Sequence, residues 1–501
     1  MKPLAAIDAL WLYLETADTP MHVGALHLLD APAGGGDLFD AVRRHLGARL
    51  GTSPVFSRRL RPLPLALANP LWIDGRVDMS YHLKRVRLPA PGTLRELETT
   101  VARLHARRLD RRRPLWQFYL IEGLADGGYA LYSKLHHAAI DGAAGVVLAQ
   151  ALLDAEPLAV ATDELAGGGA PAAEPAPGTM KLLAAALAHN GRAGLDLLQQ
   201  APALARAAVG ALKGAGGGVV AAWARHFGLA PETVFNRAID GRRSVATASL
   251  PLVPLREIAA AREATVNDVV LTIVGGALRG YLLARDALPA KPLLAAMPVS
   301  LRASGDRQMN TQATMAQASL ATDIADPLER LRVIHHAAAA AKAISHGLQP
   351  AFGLSLPSLG LPWLIGAAAT LWGGGLAERL PRLANVVVSN VPGPPMPLYI
   401  AGARLRTWWP LSIVEHGLGL NVTVMRYVDS LDFGLVAAQR LVPDAAPLAQ
   451  ALRTAFDELA AVALPPQKRK RAPAKPRGAK RTAAAPARAP RRARGRPHDA
   501  D

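Results

Sequence analysis

The chain has 501 residues, half of them hydrophobic and 19% charged, with a formal net charge of +18. That length exceeds one small core and suits two domains of ordinary size, with apolar side chains enough for both. The absence of cysteine excludes disulfides, thiolate nucleophiles and cysteine metal sites, and +11 of the charge lies in residues 468–501, where 13 Lys and Arg face two Asp.

The opening stretch, MKPLAAIDALWLYLETADTP, joins a basic residue to an apolar run, but Asp8 interrupts it and no small-residue cleavage site follows. It predicts the first amphipathic helix of a mature cytosolic protein, not a signal peptide. PLWQFYLIE (114–122) and YALYSKLHH (129–137) flank a Gly-rich turn and predict neighbouring antiparallel strands. After Gly142, AAGVVLAQALLDA has the composition of a helix. Residues 1–155 are thus expected to form an N-terminal domain. The Ala/Gly/Pro-rich stretch 156–180 reads as a flexible linker, and 181–230 as a helical connection. A second mixed domain is expected over 231–463. Within it TVNDVVLTIVGGALRGYLL (265–283) predicts a helix, and LLAAMPVSL, ANVVVSN, LNVTVMRY and LDFGLVAA predict strands. Residues 343–377 carry no Asp, Glu, Lys or Arg, yet Pro350, Pro357, Pro362 and several glycines break them up. A buried or interfacial segment is expected there in preference to a membrane span. Residues 464–501, rich in Lys, Arg, Pro and Ala, read as a disordered basic tail.

The densest chemistry lies at 133–145, SKLHHAAIDGAAG. Successive side chains of a strand point to opposite faces, so His137 shares a face with Leu135 and Ser133, and His136 with Lys134 and Tyr132. The two rings diverge. A metal site built from the pair is therefore disfavoured, and one histidine at most enters any given pocket. A neutral imidazole suits removal of a proton from a hydroxyl near neutral pH. Asp141, four residues after His137, can orient that ring or bond a more distant cation, and spacing does not choose between them. Gly142 allows close backbone approach. A bare HxxxD spacing also describes two half-buried histidines beside a turn.

HHAAIDG does not stand alone. It resembles the HHxxxDG signature of the bacterial wax ester synthase / diacylglycerol acyltransferase family, and five further elements follow that family's order. They are PMHVGALHLLD (20–30), Pro114-Leu115-Trp116, Asn267-Asp268, PVSLR (298–302) and SNVPGP (389–394). The resemblance implies an α/β fold of two chloramphenicol-acetyltransferase-like sandwich domains, akin to condensation domains, with a substrate channel between them. It implies His137 as general base, His136 as a support from the other face, and Asp141 as a structural residue paired with an arginine, for which Arg302 is the candidate. Asn267, Asp268, Ser389 and Asn390 are candidates for substrate contact; for Asn267 and Asp268 bonding within the helix is an equal alternative, and for Ser389 and Asn390 shaping the channel wall is the favoured role. Met309-Asn310 and Arg426-Tyr427 depart from the family's Gly-Asn and Ser-Tyr, which bears on acceptor preference.

The reaction so implied moves a fatty acyl group from acyl-CoA, a co-substrate, to diacylglycerol or a long-chain alcohol, with no cofactor and no metal. Two other readings stand beside it. One is a condensation-type acyltransferase taking its acyl group from a carrier protein. The other is a non-enzymatic lipid-inclusion or nucleic-acid-binding protein acting through the basic tail, whose binding to nucleic acid would be non-specific because it lacks aromatic residues. The uncharged segment and the tail together predict a cytoplasmic protein held peripherally on an anionic membrane or lipid droplet.

Overall fold

A computed structural model describes residues 2–31, 36–140, 152–157, 229–300, 313–347 and 381–464, with isolated positions between 145 and 199 and between 365 and 378. The expected linker, most of the helical connection, the basic tail and nearly all of the uncharged 343–377 stretch lie outside the described residues. Residues Met1–Leu464 form one compact unit built around two sheets.

The first sheet has five strands, β1 (His22–Leu29), β2 (Leu83–Arg87), β3 (Trp116–Glu122), β4 (Tyr129–His136) and a late arrival, Trp409–Leu411. β3 and β4 pair antiparallel, Trp116 facing Leu135, as their alternating and apolar patterns predict. β1 pairs antiparallel with β4 on its other side, setting His22 opposite His136. β2 lies parallel to β3 at the edge. Trp116 to Ile121 are all buried in β3. Gln117 is tolerated there because its amide donates to Tyr81 O and accepts from the Tyr119 hydroxyl. Helix α1 (Ala6–Leu14) precedes the sheet, and α2 (Leu94–His105) opens with a Thr93/Glu96 capping box.

The second sheet has six strands: β5 (Arg243–Pro251), β6 (Leu294–Ser300), β7 (Ala313–Ser319), β8 (Val386–Val391), and two that come after Trp409–Leu411 in the chain. With Trp409–Leu411 as β9, these are β10 (Leu420–Tyr427) and β11 (Ser430–Ala438), the antiparallel hairpin that the sequence predicts around Val428-Asp429-Ser430. Its order is β7-β6-β8-β10-β11-β5. Helices α3 (Val266–Leu283), α4 (Pro327–Gly347) and α5 (Ala446–Ala463) follow in the same half. Among the described residues α3 alone is long and apolar enough to cross a membrane, but 67% of it is buried in the protein, as befits a core helix.

β9 stitches the two halves. It pairs with β1, Trp409 opposite Leu26, although the residues on either side of it belong to the second half of the chain. Its neighbour Trp408 donates its backbone N–H to Asp432 on β11, and the Trp409 indole donates to Ser249 on β5. A second tie runs from α2, where the buried Glu98 accepts from both the backbone N–H and the hydroxyl of Thr247 on β5.

Candidate active site

β4 delivers the two histidines to the end of the first sheet. The strand stops at His136, one residue short of the expected stretch, because His137 begins a 3-10 turn through Ala139. The alternation nevertheless persists to the end: Tyr132, Lys134 and His136 are buried, while Ser133, Leu135 and His137 are half-buried.

His136 is fully enclosed. Its Nδ1 accepts from the Ala138 backbone N–H, so the ring proton of the neutral form sits on Nε2, which stands 3.5 Å from Glu15 Oε1. Glu15 in turn accepts from Arg111 Nε at 2.9 Å and Nη2 at 2.6 Å, and Oε1 also takes the Met21 N–H. Burial pushes the Glu15 carboxyl up, but the hydrogen bonds and charges of His136 and Arg111 outweigh it and hold the group at about 2. Burial lowers His136, with Glu15 opposing, so the pair is best described as a carboxylate facing a neutral ring. The buried His22 and His105 extend the same face. His22 Nε2 bonds His105 O at 2.6 Å and His105 Nδ1 bonds the Tyr132 hydroxyl at 2.7 Å, and burial lowers both rings. This row of neutral histidines is packing held by hydrogen bonds.

A depressed carboxylate contributes stability that is present above its unfolded value near 4.5 and lost as the pH falls towards 2. Glu15→Gln is accordingly expected to cost about 1–3 kcal/mol at pH 7 and to flatten the acid limb of the stability curve between pH 4.5 and 2. Urea unfolding at a series of pH values measures it. A parallel fall of parent and variant across that window would show that Glu15 is not the group responsible.

His137 is held differently. Its backbone N–H donates to Met21 O at 2.9 Å, and its ring stacks on Trp11 of α1 with centroids 4.0 Å apart. Met21 thus links Glu15 to His137, its N–H donating to the Glu15 carboxylate and its C=O accepting from the His137 N–H. The arrangement offers one half-buried imidazole, stacked on Trp11, beside one fully buried imidazole facing a carboxylate. That is what a single proton acceptor with a supporting neighbour requires.

Asn267 and Asp268 lie in the first turn of α3. Asp268 completes a capping box, accepting from the Thr265 N–H and hydroxyl, and its Oδ2 also bonds His335 Nδ1 of α4 at 2.8 Å. Asn267 Oδ1 accepts from Asn390 Nδ2 at 3.3 Å, which brings two of the sequence motifs together across α3 and the end of β8. Ser389 is half-buried on β8, opposite Thr423 of β10. The SNVPGP turn needs Gly393, where an added Cβ would lie 2.0 Å from the carbonyl oxygen of Arg426. Arg426 itself buries Nε without a hydrogen-bond partner among the described residues. Asp141, Gly142, Arg302 and Met309-Asn310 lie outside the described residues. Glu15, Trp11, Arg111 and His335 were not singled out in the sequence. Their only signal is an aromatic within a helix, an acid just past its end, an arginine within a run of them, and one of two adjacent histidines in a later helix.

Residues 4–270 match the model of the wax ester synthase/diacylglycerol acyltransferase catalytic domain, and residues 310–460 that of the family's C-terminal domain. The chain belongs to the wax ester synthase/diacylglycerol acyltransferase family. A relative from Mycobacterium tuberculosis, named as a diacylglycerol O-acyltransferase, is 39% identical over 460 residues, 91% of this chain and 99% of that one. A second, from Mycobacterium bovis, is 35% identical over 457 residues, covering 90% and 97%. The solved wax ester synthase/diacylglycerol acyltransferase of Marinobacter aquaeolei is 31% identical with a TM-score of 0.66, covering 92% of this chain and all of that one. The first condensation domain of a calcium-dependent antibiotic synthetase, 16% identical with a TM-score of 0.51 over 92% and 96% of the two chains, shares the fold alone. In this family member, then, the histidine motif closes the first sheet while the Asn-Asp and Ser-Asn motifs meet in the second half.

Proposed function

We propose that this acyltransferase moves a fatty acyl group from acyl-CoA to the hydroxyl of diacylglycerol, forming triacylglycerol, and to long-chain alcohols, forming wax esters. The observation that carries the assignment of the base is the difference between the two histidines: His136 is fully enclosed against Glu15, and His137 is half-buried with its ring steadied by Trp11. His137 takes the hydroxyl proton as the oxygen attacks the thioester carbon. The tetrahedral oxyanion collapses, the C–S bond breaks, and the imidazolium returns the proton to the departing thiolate. Atoms and charge balance with donor and acceptor alone, so no cofactor or metal enters the proposal. Asp141 orders the loop after His137, with Arg302 as its partner, Gly142 lets the chain turn there, and Asn267, Asp268, Ser389 and Asn390 shape the acceptor side of a channel between the halves.

The proposal extends to location: the enzyme works on the cytoplasmic face of an anionic membrane or lipid inclusion, drawn by the tail's +11 charge. The test is purified protein with palmitoyl-CoA, offering diacylglycerol and hexadecanol in competition. CoA release matched by ester in one or both products is expected, and removal of residues 468–501 is expected to weaken binding to anionic vesicles while activity on dispersed substrate persists. Faster transfer from an acylated carrier protein than from acyl-CoA would select the condensation-type reading. Absence of ester from either donor would overturn acyl transfer altogether.

A further inference from the structure

A cavity of about 720 Å³ opens where the end of α2, the loop Arg107–Arg112, and strands β2 and β3 meet. Six cationic side chains line it: Lys84, Arg85, Arg107, Arg108, Arg111 and Arg112. Two acids share the lining, and both are already engaged. Glu15 holds Arg111, and Asp110 holds Arg112 at 3.0 Å. Arg85 turns to Asp37, which is not part of the lining. The side chains of Lys84, Arg107 and Arg108 are left with no hydrogen-bonding or ion-pair partner among the described residues.

A run of arginines on a surface is ordinarily a solvated face. This one is held in shape. Lys134, fully buried on β4, donates from Nζ to Leu104 O at 3.0 Å and to Arg107 O at 2.7 Å, pinning the loop from beneath. Leu109 is buried at its centre, and the Asp110 N–H donates to the Tyr81 hydroxyl at 3.0 Å. Burying an ammonium group to brace a loop is costly, and burial together with the charge of Arg107 pushes Lys134 down to about 7. Uncompensated like charges gathered around a fixed concavity repel one another until an anion enters, and guanidinium forks match phosphate oxygens in shape and charge.

We propose that this cavity is a phosphate-binding site, occupied by a phosphate-bearing group: the phosphates of a CoA-type nucleotide or the headgroup of an anionic phospholipid. The inference stands on the cavity and its unpaired cations, independently of which residue catalyses acyl transfer. It also places the anion one residue from the histidine pair, since Glu15 lines the cavity and faces His136.

The test uses the full chain, tail included, in about 0.15 M salt, where exposed charges farther than about 8 Å apart are largely screened. Arg107→Ala/Arg108→Ala is compared with the parent and with Arg256→Ala/Arg440→Ala, which removes the same charge elsewhere on the surface. The probes are CoA, vesicles of phosphatidylglycerol in phosphatidylcholine, and inorganic phosphate as competitor. All four arginines are exposed, so the variants are expected to melt like the parent without ligand. Losing charge-assisted hydrogen bonds should raise the dissociation constant about tenfold or more for the probe that uses the site. The control should stay within about twofold by the same reckoning, and phosphate should compete only against the parent and the control. A loss confined to CoA assigns a nucleotide phosphate, and one confined to vesicles assigns a lipid headgroup. Affinities for both probes that match the control's overturn the site. Should the double variant melt early, Lys84→Ala/Arg108→Ala carries the same reading.

Discussion

His137→Ala is expected to lose transfer activity by about 10²–10⁴-fold while remaining folded, because general-base catalysis is typically worth that much. The residue is half-buried with its ring stacked on Trp11, whereas His136 is fully enclosed, so the fold is expected to survive its removal. His136→Ala is expected to behave in the opposite way. It leaves the Ala138 N–H without its acceptor and exposes Glu15 to a cavity, at a cost of about 1–3 kcal/mol in stability. Activity then falls with the amount of folded protein, and the specific activity of the surviving fraction stays close to the parent's. The measurement is specific activity per folded molecule for both variants on the same donor and acceptor. A well-folded but inactive His136→Ala beside an active His137→Ala would remove His137 from the base's role.

The largest structural effect is expected at Gly434. It lies in the middle of β11, opposite Thr247 on β5 and Thr423 on β10, and an added Cβ would stand 1.7 Å from the carbonyl oxygen of Pro410. Pro410 belongs to β9, the strand that leaves the second half to join the first sheet. Nothing flexible can yield there, because the obstacle is backbone. Gly434→Ala is therefore expected to destabilise by about 3 kcal/mol or more, the upper end of what overpacking a core costs. Gly280→Ala supplies the contrast: the position is exposed on α3 with nothing within 4 Å of an added Cβ, so alanine should stabilise by about 0.5–1 kcal/mol. Urea unfolding of both variants tests the pair. Equal midpoints would show that β9 can shift away from β11 at small cost, and that the crossing does not hold the halves together.

The local elements were legible because each is governed by neighbours in sequence. Alternation marked β4 and placed the two histidines on opposite faces, and the turn after Glu122 announced its pairing with β3. The α3 helix was legible from its apolar run, and the structure adds that Thr265 and Asp268 cap its start. The family motifs added the site residues, since their order along the chain is itself a property of sequence.

What the sequence could not hold is any partner chosen by folding. Glu15 is 121 positions from His136, at the extended residue that ends α1, and only the packing of α1 against the turn that follows β4 brings them face to face. The same holds for Asp268 and His335, 67 positions apart. β9 is three residues with a proline at its centre, too short for alternation to register, and it becomes a strand only because β1 offers an open edge. Lys134 shares a strand face with Tyr132 and His136, and its ammonium group is buried there because two carbonyls, Leu104 O at the end of α2 and Arg107 O just past it, accept from it. Composition and period determined which segments form strands and helices and which way their side chains point. Burial, and with it the enclosure of His136 against Glu15 while His137 stays half-buried, was decided by tertiary structure, because desolvation and pairing depend on residues that the chain brings near only when it folds.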